Sequence, residues 1–107
     1  MANRWGIPKE VEEFVKKRDK SCVYCGIEFK LDDSSKKSEA SWEHIINDIN
    51  INGIDNIALC CMSCNASKGA KLLENWLESA YCKKKGITVE SVANVVKMAL
   101  QNARNSD

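Results

Sequence analysis

The sequence lacks the features that mark a membrane-bound, secreted or low-complexity chain. It has one proline and five glycines among 107 residues, with no internal repeat and no low-complexity linker. No apolar run is long enough to span a bilayer, and the N-terminal MANRWGIPKEVEEF lacks the apolar segment of a signal peptide. These absences favour an ordinary globular protein with no membrane partner, and we expect it in the cytoplasm.

The sequence also lacks a large excess of positively or negatively charged residues. Sixteen Lys and Arg residues against fifteen Asp and Glu residues give a net charge of only +1, which argues against strong nonspecific attraction to nucleic acid. The positive charges are nevertheless clustered, and two of the clusters flank cysteine pairs. We interpret these as a local basic face that contacts nucleic acid, the alternative being solvated helix ends. The candidate contacts are Lys17, Arg18, Lys68 and Lys71.

The length of the chain indicates one domain over residues 1–107. A domain of this size buries roughly 65% of the surface that its unfolded chain exposes, so its core is modest. A metal ion that crosslinks the chain is therefore a plausible source of additional stability.

Four of the six cysteines form two Cys-x-x-Cys pairs, Cys22 with Cys25 and Cys61 with Cys64. No secretion signal is visible, so metal ligation is favoured over disulfides. Structural Zn²⁺ prefers a closed tetrahedron of thiolate or imidazole ligands. The pattern predicts one structural zinc ion held by the two pairs, the alternative being four buried free cysteines.

The two remaining cysteines, Cys60 and Cys82, require separate interpretation. Cys60 could replace Cys61 as a ligand, but Cys61 reproduces the spacing of the first pair, and Cys60 continues the apolar alternation of the segment before it. Cys82 lies in a predicted helix without a partner. We expect it to be a small buried apolar residue.

Apolar residues at helical spacing predict three helices outside the central segment. The first covers about residues 8–19, with acidic residues early and basic residues late. The second runs from about 70 to 84 and ends at Gly86. Thr88 is a good N-cap for a third helix at about 89–104.

Extended segments are expected between the first and second helices. Alternating residues predict a short strand over 27–31, followed by a polar loop at 32–39. A second strand is predicted at 40–46, and its return arm begins at 54–59. The second cysteine pair should open a helix near Met62, so the predicted class is α+β.

The only histidine, His44, follows Glu43, and Asn65 comes directly after the second cysteine pair. Phosphodiester hydrolysis needs an activated water and neutralisation of charge on the phosphate. A neutral imidazole can take the proton from water near pH 7. Carboxylate and amide oxygens are ligands that Mg²⁺ prefers. These three residues could therefore form a hydrolytic site, although a lone Glu-His pair is more often a surface feature.

The order of these residues resembles the HNH endonuclease signature. That signature is an Asp-His pair, a central Asn, and Cys-x-x-Cys-Asn followed by Lys-Gly; a zinc-binding subclass adds an upstream Cys-x-x-Cys, here Cys22 and Cys25. The resemblance covers about residues 20–70. The matching segments are Glu43-His44-Ile45-Ile46, Asp55-Asn56-Ile57, Leu59 to Cys64, Asn65 and Lys68-Gly69.

The resemblance implies a ββα-metal core with flanking helices, in which the arms around residues 47–53 form a hairpin. His44 would be the general base, and Glu43 and Asn65 would hold a catalytic Mg²⁺ or Mn²⁺. Asn56 would fix the loop through backbone hydrogen bonds and so orient His44. Lys68 would lie near the DNA backbone, zinc would remain structural, and the products would carry 5′-phosphate and 3′-hydroxyl ends.

The sequence departs from the family pattern in one residue and raises one geometric problem. Glu43 replaces the usual Asp, so the carboxylate is displaced by roughly a C–C bond length. Neighbouring residues of a regular strand also point to opposite faces. A site shared by Glu43 and His44 therefore predicts an irregular backbone over Glu43 to Ile46.

Three functions fit these observations. The first is a metal-dependent endonuclease that cleaves DNA, double-stranded in our interpretation, as a monomer or homodimer and with weak sequence specificity. The second is a non-catalytic zinc module that binds nucleic acid or protein. The third is a ribonuclease or toxin of the same fold.

Overall fold

The computed structural model describes residues 5–29, 39–48 and 50–105, with side chains up to residue 102. The described elements are five helices and two strands that pair only with each other, as expected for the predicted α+β class. In chain order they are α1 (Lys9–Arg18), β1 (Ala40–His44), β2 (Ile57–Cys61), α2 (Met62–Lys68), α3 (Leu73–Leu77), α4 (Ala80–Lys85) and α5 (Asn94–Asn105).

Strands β1 and β2 form an antiparallel hairpin, with Ala40 opposite Cys61 and His44 opposite Ile57. Helix α2 follows β2 without a break and packs against both strands. The predicted hairpin and ββα arrangement are therefore confirmed. The first strand ends at His44 rather than at residue 46, because the chain beyond His44 bends around Asn56.

The N-terminal helix predicted at 8–19 is present as α1. Its acidic residues lie in the first turn and its basic residues in the last, which complements the helix dipole. Val15 is fully buried and packs in a cluster with Trp42, Ile57 and Leu59. This cluster attaches α1 to the hairpin.

The prediction of one helix over 70–84 is wrong, because two short helices occupy this segment. Ser79 adopts an extended backbone between α3 and α4, and its hydroxyl accepts a hydrogen bond from the Cys82 N–H. The apolar periodicity continues across this break, but the serine caps a new helix there. Gly86 ends α4 in the left-handed conformation, as predicted.

The last helix also begins later than predicted, at Asn94 rather than near residue 89. Thr88 does cap a turn, since its hydroxyl accepts a hydrogen bond from the Ser91 N–H at 3.1 Å. That turn does not continue into the helix, because the Ala93 N–H donates to the carbonyl of Val23 at 2.9 Å. A tertiary hydrogen bond thus interrupts the helical pattern.

The short strand predicted at 27–31 is reduced to one bridge, between Ser21 and Glu28. Residues 30–38, which include the end of that strand and nearly all of the predicted polar loop, lie outside the described residues.

Two buried clusters occupy the two sides of the hairpin. One contains Tyr24, Ile45 and Trp76 together with the cysteines, and the other contains Trp42 and Val15. The alternation of β1 therefore sends odd-numbered side chains to one side and even-numbered ones to the other. No helix in the described part of the chain is both long and apolar enough to cross a membrane.

Candidate functional site

The four predicted ligands Cys22, Cys25, Cys61 and Cys64 come together in the structure. Their sulfur atoms all lie within 4.8 Å of one another, and the sulfurs of Cys25 and Cys61 are 3.8 Å apart. Tetrahedral Zn–S bonds of 2.3 Å place ligand sulfurs about 3.8 Å apart. The cluster therefore fits a structural zinc ion, as predicted.

Each cysteine pair is shaped by the same local hydrogen bond. The N–H of Cys25 points to the sulfur of Cys22 at 3.5 Å, and the N–H of Cys64 to the sulfur of Cys61 at 3.4 Å. Gly26 follows the first pair with a φ of +80°, a conformation that side chains disfavour. The second pair forms the start of α2.

Hydrogen bonds among the sulfurs shift their pKa values in opposite directions. Hydrogen bonds from Cys61 and Cys64 lower the pKa of Cys22, whereas donating to Cys22 raises the pKa of Cys61 to about 11 and that of Cys64 further. One thiolate is thus stabilised at the expense of its neighbours. A dication is what allows all four to ionise together.

Cys60 and Cys82 lie outside this cluster. Burial, followed by the nearby charge of Glu43, raises the pKa of Cys60, so it remains a thiol. Its sulfur lies 3.8 Å from the hydroxyl of Ser41. Cys82 is fully buried, and burial also raises its pKa. Of the two neighbouring cysteines, the geometry thus places Cys61 in the cluster and leaves Cys60 out of it.

Asn56 makes hydrogen bonds of the kind that the resemblance implies. Its side-chain oxygen accepts from the N–H of Ile46 at 2.7 Å. Its amide nitrogen donates to the carbonyls of Ile46 and Ile51, at 3.1 and 3.0 Å. Asn56 is only 3% exposed, so it joins the two ends of the loop from inside.

His44 is the last residue of β1 and lies on the side of the hairpin that faces Trp5. Its Nε2 is 2.8 Å from the side-chain oxygen of Asn52, a residue of the hairpin loop. The indole of Trp5 meets the imidazole edge to face, with ring centres 5.7 Å apart. An amide oxygen can only accept, so in a neutral imidazole this contact selects the tautomer with the hydrogen on Nε2 and the lone pair on Nδ1.

Glu43 faces the opposite side of the strand, towards α2 and the first cysteine pair. One oxygen of its carboxylate lies 3.0 Å from the ammonium of Lys68 and 2.5 Å from the hydroxyl of Tyr24. Burial, with the charge of Glu43, raises the pKa of Tyr24, so its hydroxyl stays protonated and donates. The carboxylate is thus surrounded by two buried donors.

The backbone through Glu43 and His44 is regular, and the two side chains contact different partners. The irregularity predicted for residues 43–46 begins only at Ile45. A distorted strand therefore does not bring the two side chains together. The prediction of an irregular backbone at Glu43 and His44 is therefore wrong, and in this structure the two side chains lie on opposite sides of the hairpin.

Asn65 lies on the same side as Glu43. Its amide nitrogen donates to the hydroxyl of Ser41 at 2.8 Å and to the carbonyl of Trp42 at 3.3 Å. Its side-chain oxygen takes no part in these two bonds. The carboxylate of Glu43 and this oxygen have the chemistry that Mg²⁺ or Mn²⁺ requires, although a lysine already lies beside the carboxylate.

Two of the four candidate nucleic-acid contacts are used inside the protein instead. Lys68 is 1% exposed, so the structure does not place it beside a DNA backbone. Arg18 donates to the carboxylate of Asp19 and to the carbonyls of Ile54 and Ile57, at 2.7 to 2.9 Å. The sequence analysis placed both side chains at the surface. A cluster of basic residues in the sequence does not show which of its side chains turn towards the interior.

The other two candidates, Lys17 and Lys71, are exposed. Lys71 makes one exposed hydrogen bond, to the carbonyl of Ser67 at 3.0 Å. Both ammonium groups are therefore placed where a polyanion can reach them.

Three residues of the site were missed by the sequence analysis. Tyr24 lies inside the first cysteine pair, Asn52 is one of several asparagines in the hairpin loop, and the buried Asp19 accepts from the N–H of Leu59 at 3.1 Å. Only Asp19 had a usable signal, since it stands beside Arg18. The other two partners are 19 and 8 residues away from the residues they contact.

The hairpin, the crossing helix and the cysteine cluster together define a ββα-metal domain of the zinc-binding type. A family model of HNH endonucleases matches residues 22–71, which confirms the resemblance over that segment. The match includes both cysteine pairs, His44 and Asn56, and it leaves α1, α3, α4 and α5 outside. None of the curated proteins and none of the solved structures compared matches the chain.

Proposed function

We propose that the protein is a metal-dependent endonuclease that hydrolyses phosphodiester bonds in DNA, with His44 as the general base. The observation that carries this proposal is the hydrogen bond between His44 and Asn52 within the HNH match. It leaves Nδ1 of a neutral imidazole as the acceptor for the proton of an attacking water. Asn56 supports the same geometry, because it holds the loop that carries Asn52.

The proposal assigns the catalytic divalent ion, Mg²⁺ or Mn²⁺, to the oxygens of Glu43 and Asn65. Such an ion supplies charge neutralisation on the phosphate and assistance to the leaving oxygen. Lys17 and Lys71 are proposed to contact the phosphate backbone. Double-stranded DNA and action as a monomer or homodimer complete the proposal.

One observation favours the alternative, a zinc module that binds nucleic acid or protein without cleaving it. The carboxylate of Glu43 is already paired with Lys68 and Tyr24, both of which are buried. A purely structural role for Glu43 would leave His44 without a metal-binding neighbour.

Plasmid nicking separates these functions. The zinc-loaded protein is incubated with supercoiled DNA in Mg²⁺, in Mn²⁺ and in EDTA, with single-stranded DNA and RNA as further substrates. The variant His44→Gln retains a side-chain N–H donor for Asn52 but cannot take up a proton, which makes it a matched control for folding. We expect metal-dependent cleavage that this variant lacks, with unchanged zinc content.

Either of two results would contradict the proposal. Undiminished cleavage by His44→Gln would exclude His44 as the base. Absence of cleavage by the folded, zinc-loaded protein with every metal and substrate, combined with measurable binding to DNA, would favour the binding module.

A further inference from the structure

We propose that Lys68 is an internal cation that competes with the divalent ion for the carboxylate of Glu43. This inference rests on the proposed function, because it concerns the ion assigned to Glu43 and Asn65. It predicts that the two oxygen ligands bind a divalent ion more weakly than they would without Lys68.

Lys68 lies on the same face of α2 as Asn65, and its ammonium is next to the carboxylate of Glu43. Asn65 and Lys68 are three residues apart in α2, so they lie on the same helix face. That face meets β1, where Asn65 bonds to Ser41 and Lys68 lies 3.0 Å from Glu43. An ion that joined Glu43 to Asn65 would therefore share its space with the ammonium of Lys68.

The ion pair between Lys68 and Glu43 is buried. Lys68 is 1% exposed and Glu43 is 7% exposed, so the water that would otherwise screen the ammonium from a second cation is largely excluded. A dication and an ammonium at one carboxylate repel each other. Binding of the ion thus requires the ammonium to move away or to share the carboxylate at a cost in affinity.

The same pair also supplies the counter-charge that the buried carboxylate needs. A buried carboxylate without a counter-charge is strongly destabilising. Lys68 supplies that charge, and Tyr24 adds a hydrogen bond of 2.5 Å to the same oxygen. These two contacts hold the carboxylate of Glu43 in one position.

The test is a titration of the zinc-loaded protein with Mn²⁺, followed by the electron paramagnetic resonance signal of the free ion. Lys68→Met replaces the lysine with an uncharged side chain of similar length. We expect Mn²⁺ to bind this variant at least about tenfold more tightly than the wild type. Mn²⁺ does not compete well for thiolates, so the zinc cluster does not obscure the result.

Two control variants isolate the effect. Lys71→Met removes the same charge from an exposed position three residues further along the chain, and it should leave the affinity unchanged. Lys68→Met combined with Glu43→Gln should lose the added affinity, because the proposed ligand is gone. Equal affinity in Lys68→Met and wild type would overturn the proposal.

A measurement on the wild type covers the case in which Lys68→Met does not fold. The side-chain nitrogen of Lys68 can be observed by ¹⁵N NMR of labelled lysine, and Mg²⁺ should shift or broaden its signal selectively. An unchanged signal at Mg²⁺ concentrations that support binding would overturn the proposal. If neither the wild type nor Lys68→Met binds Mn²⁺, both this proposal and the assignment of the ion to Glu43 and Asn65 fail. The role of His44 is tested separately by plasmid nicking.

Discussion

The side-chain oxygen of Asn52 lies 2.8 Å from Nε2 of His44. Since an amide oxygen only accepts hydrogen bonds, this contact fixes one tautomer of the neutral imidazole. The same contact holds the ring against rotation, so that Nδ1 keeps one direction. Asn52 is therefore a positioning residue in the proposed mechanism, and it does not itself contact the reacting atoms.

Replacing Asn52 tests this role directly. Asn52→Leu has nearly the same shape but no acceptor, and we expect it to lower the rate of plasmid nicking by about tenfold or more. That loss is part of the roughly 10²- to 10⁴-fold that a positioned general base contributes. Asn52→Asp keeps the acceptor and adds a negative charge that favours the protonated ring, so it should move the acid limb of the pH–rate profile to higher pH.

A merely structural role for Asn52 would give a different pattern. Both variants would then lose activity only in proportion to the fraction of unfolded protein, and neither would move the pH–rate profile. Denaturant unfolding at the assay temperature provides the comparison.

The neighbouring cysteines Cys60 and Cys61 form a natural matched pair for the metal site. Cys61→Ser should abolish stoichiometric zinc and unfold much of the protein, since binding of zinc contributes directly to the free energy of folding. Cys60→Ser should retain one zinc per chain and lose only about 1–2 kcal/mol, because it places a hydroxyl in an apolar site. Zinc content by mass spectrometry and thermal unfolding measure both effects. Full zinc in Cys61→Ser would exclude Cys61 as a ligand.

The cations at the end of α1 should separate into a structural and a binding residue. Arg18→Gln removes donors to Asp19, Ile54 and Ile57 and leaves a buried carboxylate without its counter-charge, so it should cost about 2–3 kcal/mol of unfolding free energy. Lys17→Gln is exposed and should change stability by less than about 0.5 kcal/mol.

DNA binding, unlike stability, should depend on the exposed lysines. Lys17→Gln and Lys71→Gln should each weaken binding to every DNA sequence and lower the salt dependence by about one phosphate contact. Fluorescence anisotropy at several salt concentrations measures this slope. A slope that is the same in both variants and in the wild type would place the nucleic-acid contact elsewhere.

Tyr24 should stabilise the protein through its hydrogen bond to Glu43. Tyr24→Phe removes a buried donor to a charged acceptor, and we expect a loss of about 2 kcal/mol in urea unfolding. Tyr81→Phe is the control, since the hydroxyl of Tyr81 bonds to Ser63 and to the sulfur of Cys64 from a half-buried position. Equal costs in the two variants would show that the Glu43 contact adds no extra stability.

The elements that depend on neighbouring residues, the cysteine turns and α1, could be predicted from the sequence. The two Cys-x-x-Cys pairs predicted the cluster, because each tight turn brings its own two sulfurs together. The period of apolar residues and the order of charges predicted α1. The two strands and the helix after the second cysteine pair were predicted from local pattern, whereas their arrangement as a hairpin crossed by that helix came from the resemblance.

Long-range contacts set the limits of prediction. The helix expected at 70–84 is divided because Ser79 caps a new start, a choice that competes closely with helix continuation. The late start of α5 depends on a hydrogen bond from Ala93 to Val23, 70 residues away along the chain. Neither the inward turn of Lys68 nor its pairing with Glu43 has any signature in composition or spacing.

The hydrogen bonds of Val23 bear on how this domain could be moved into another protein. Its N–H donates to Leu59, and its carbonyl accepts from Ala93, which lies beyond the residues of the family match. A graft limited to residues 22–71 would keep the four clustered cysteines and His44, but it would expose Tyr24 and lose the hydrogen bond from Ala93. The transferable unit for protein engineering is therefore the larger folded body that includes α5, and fusion partners should be joined outside it.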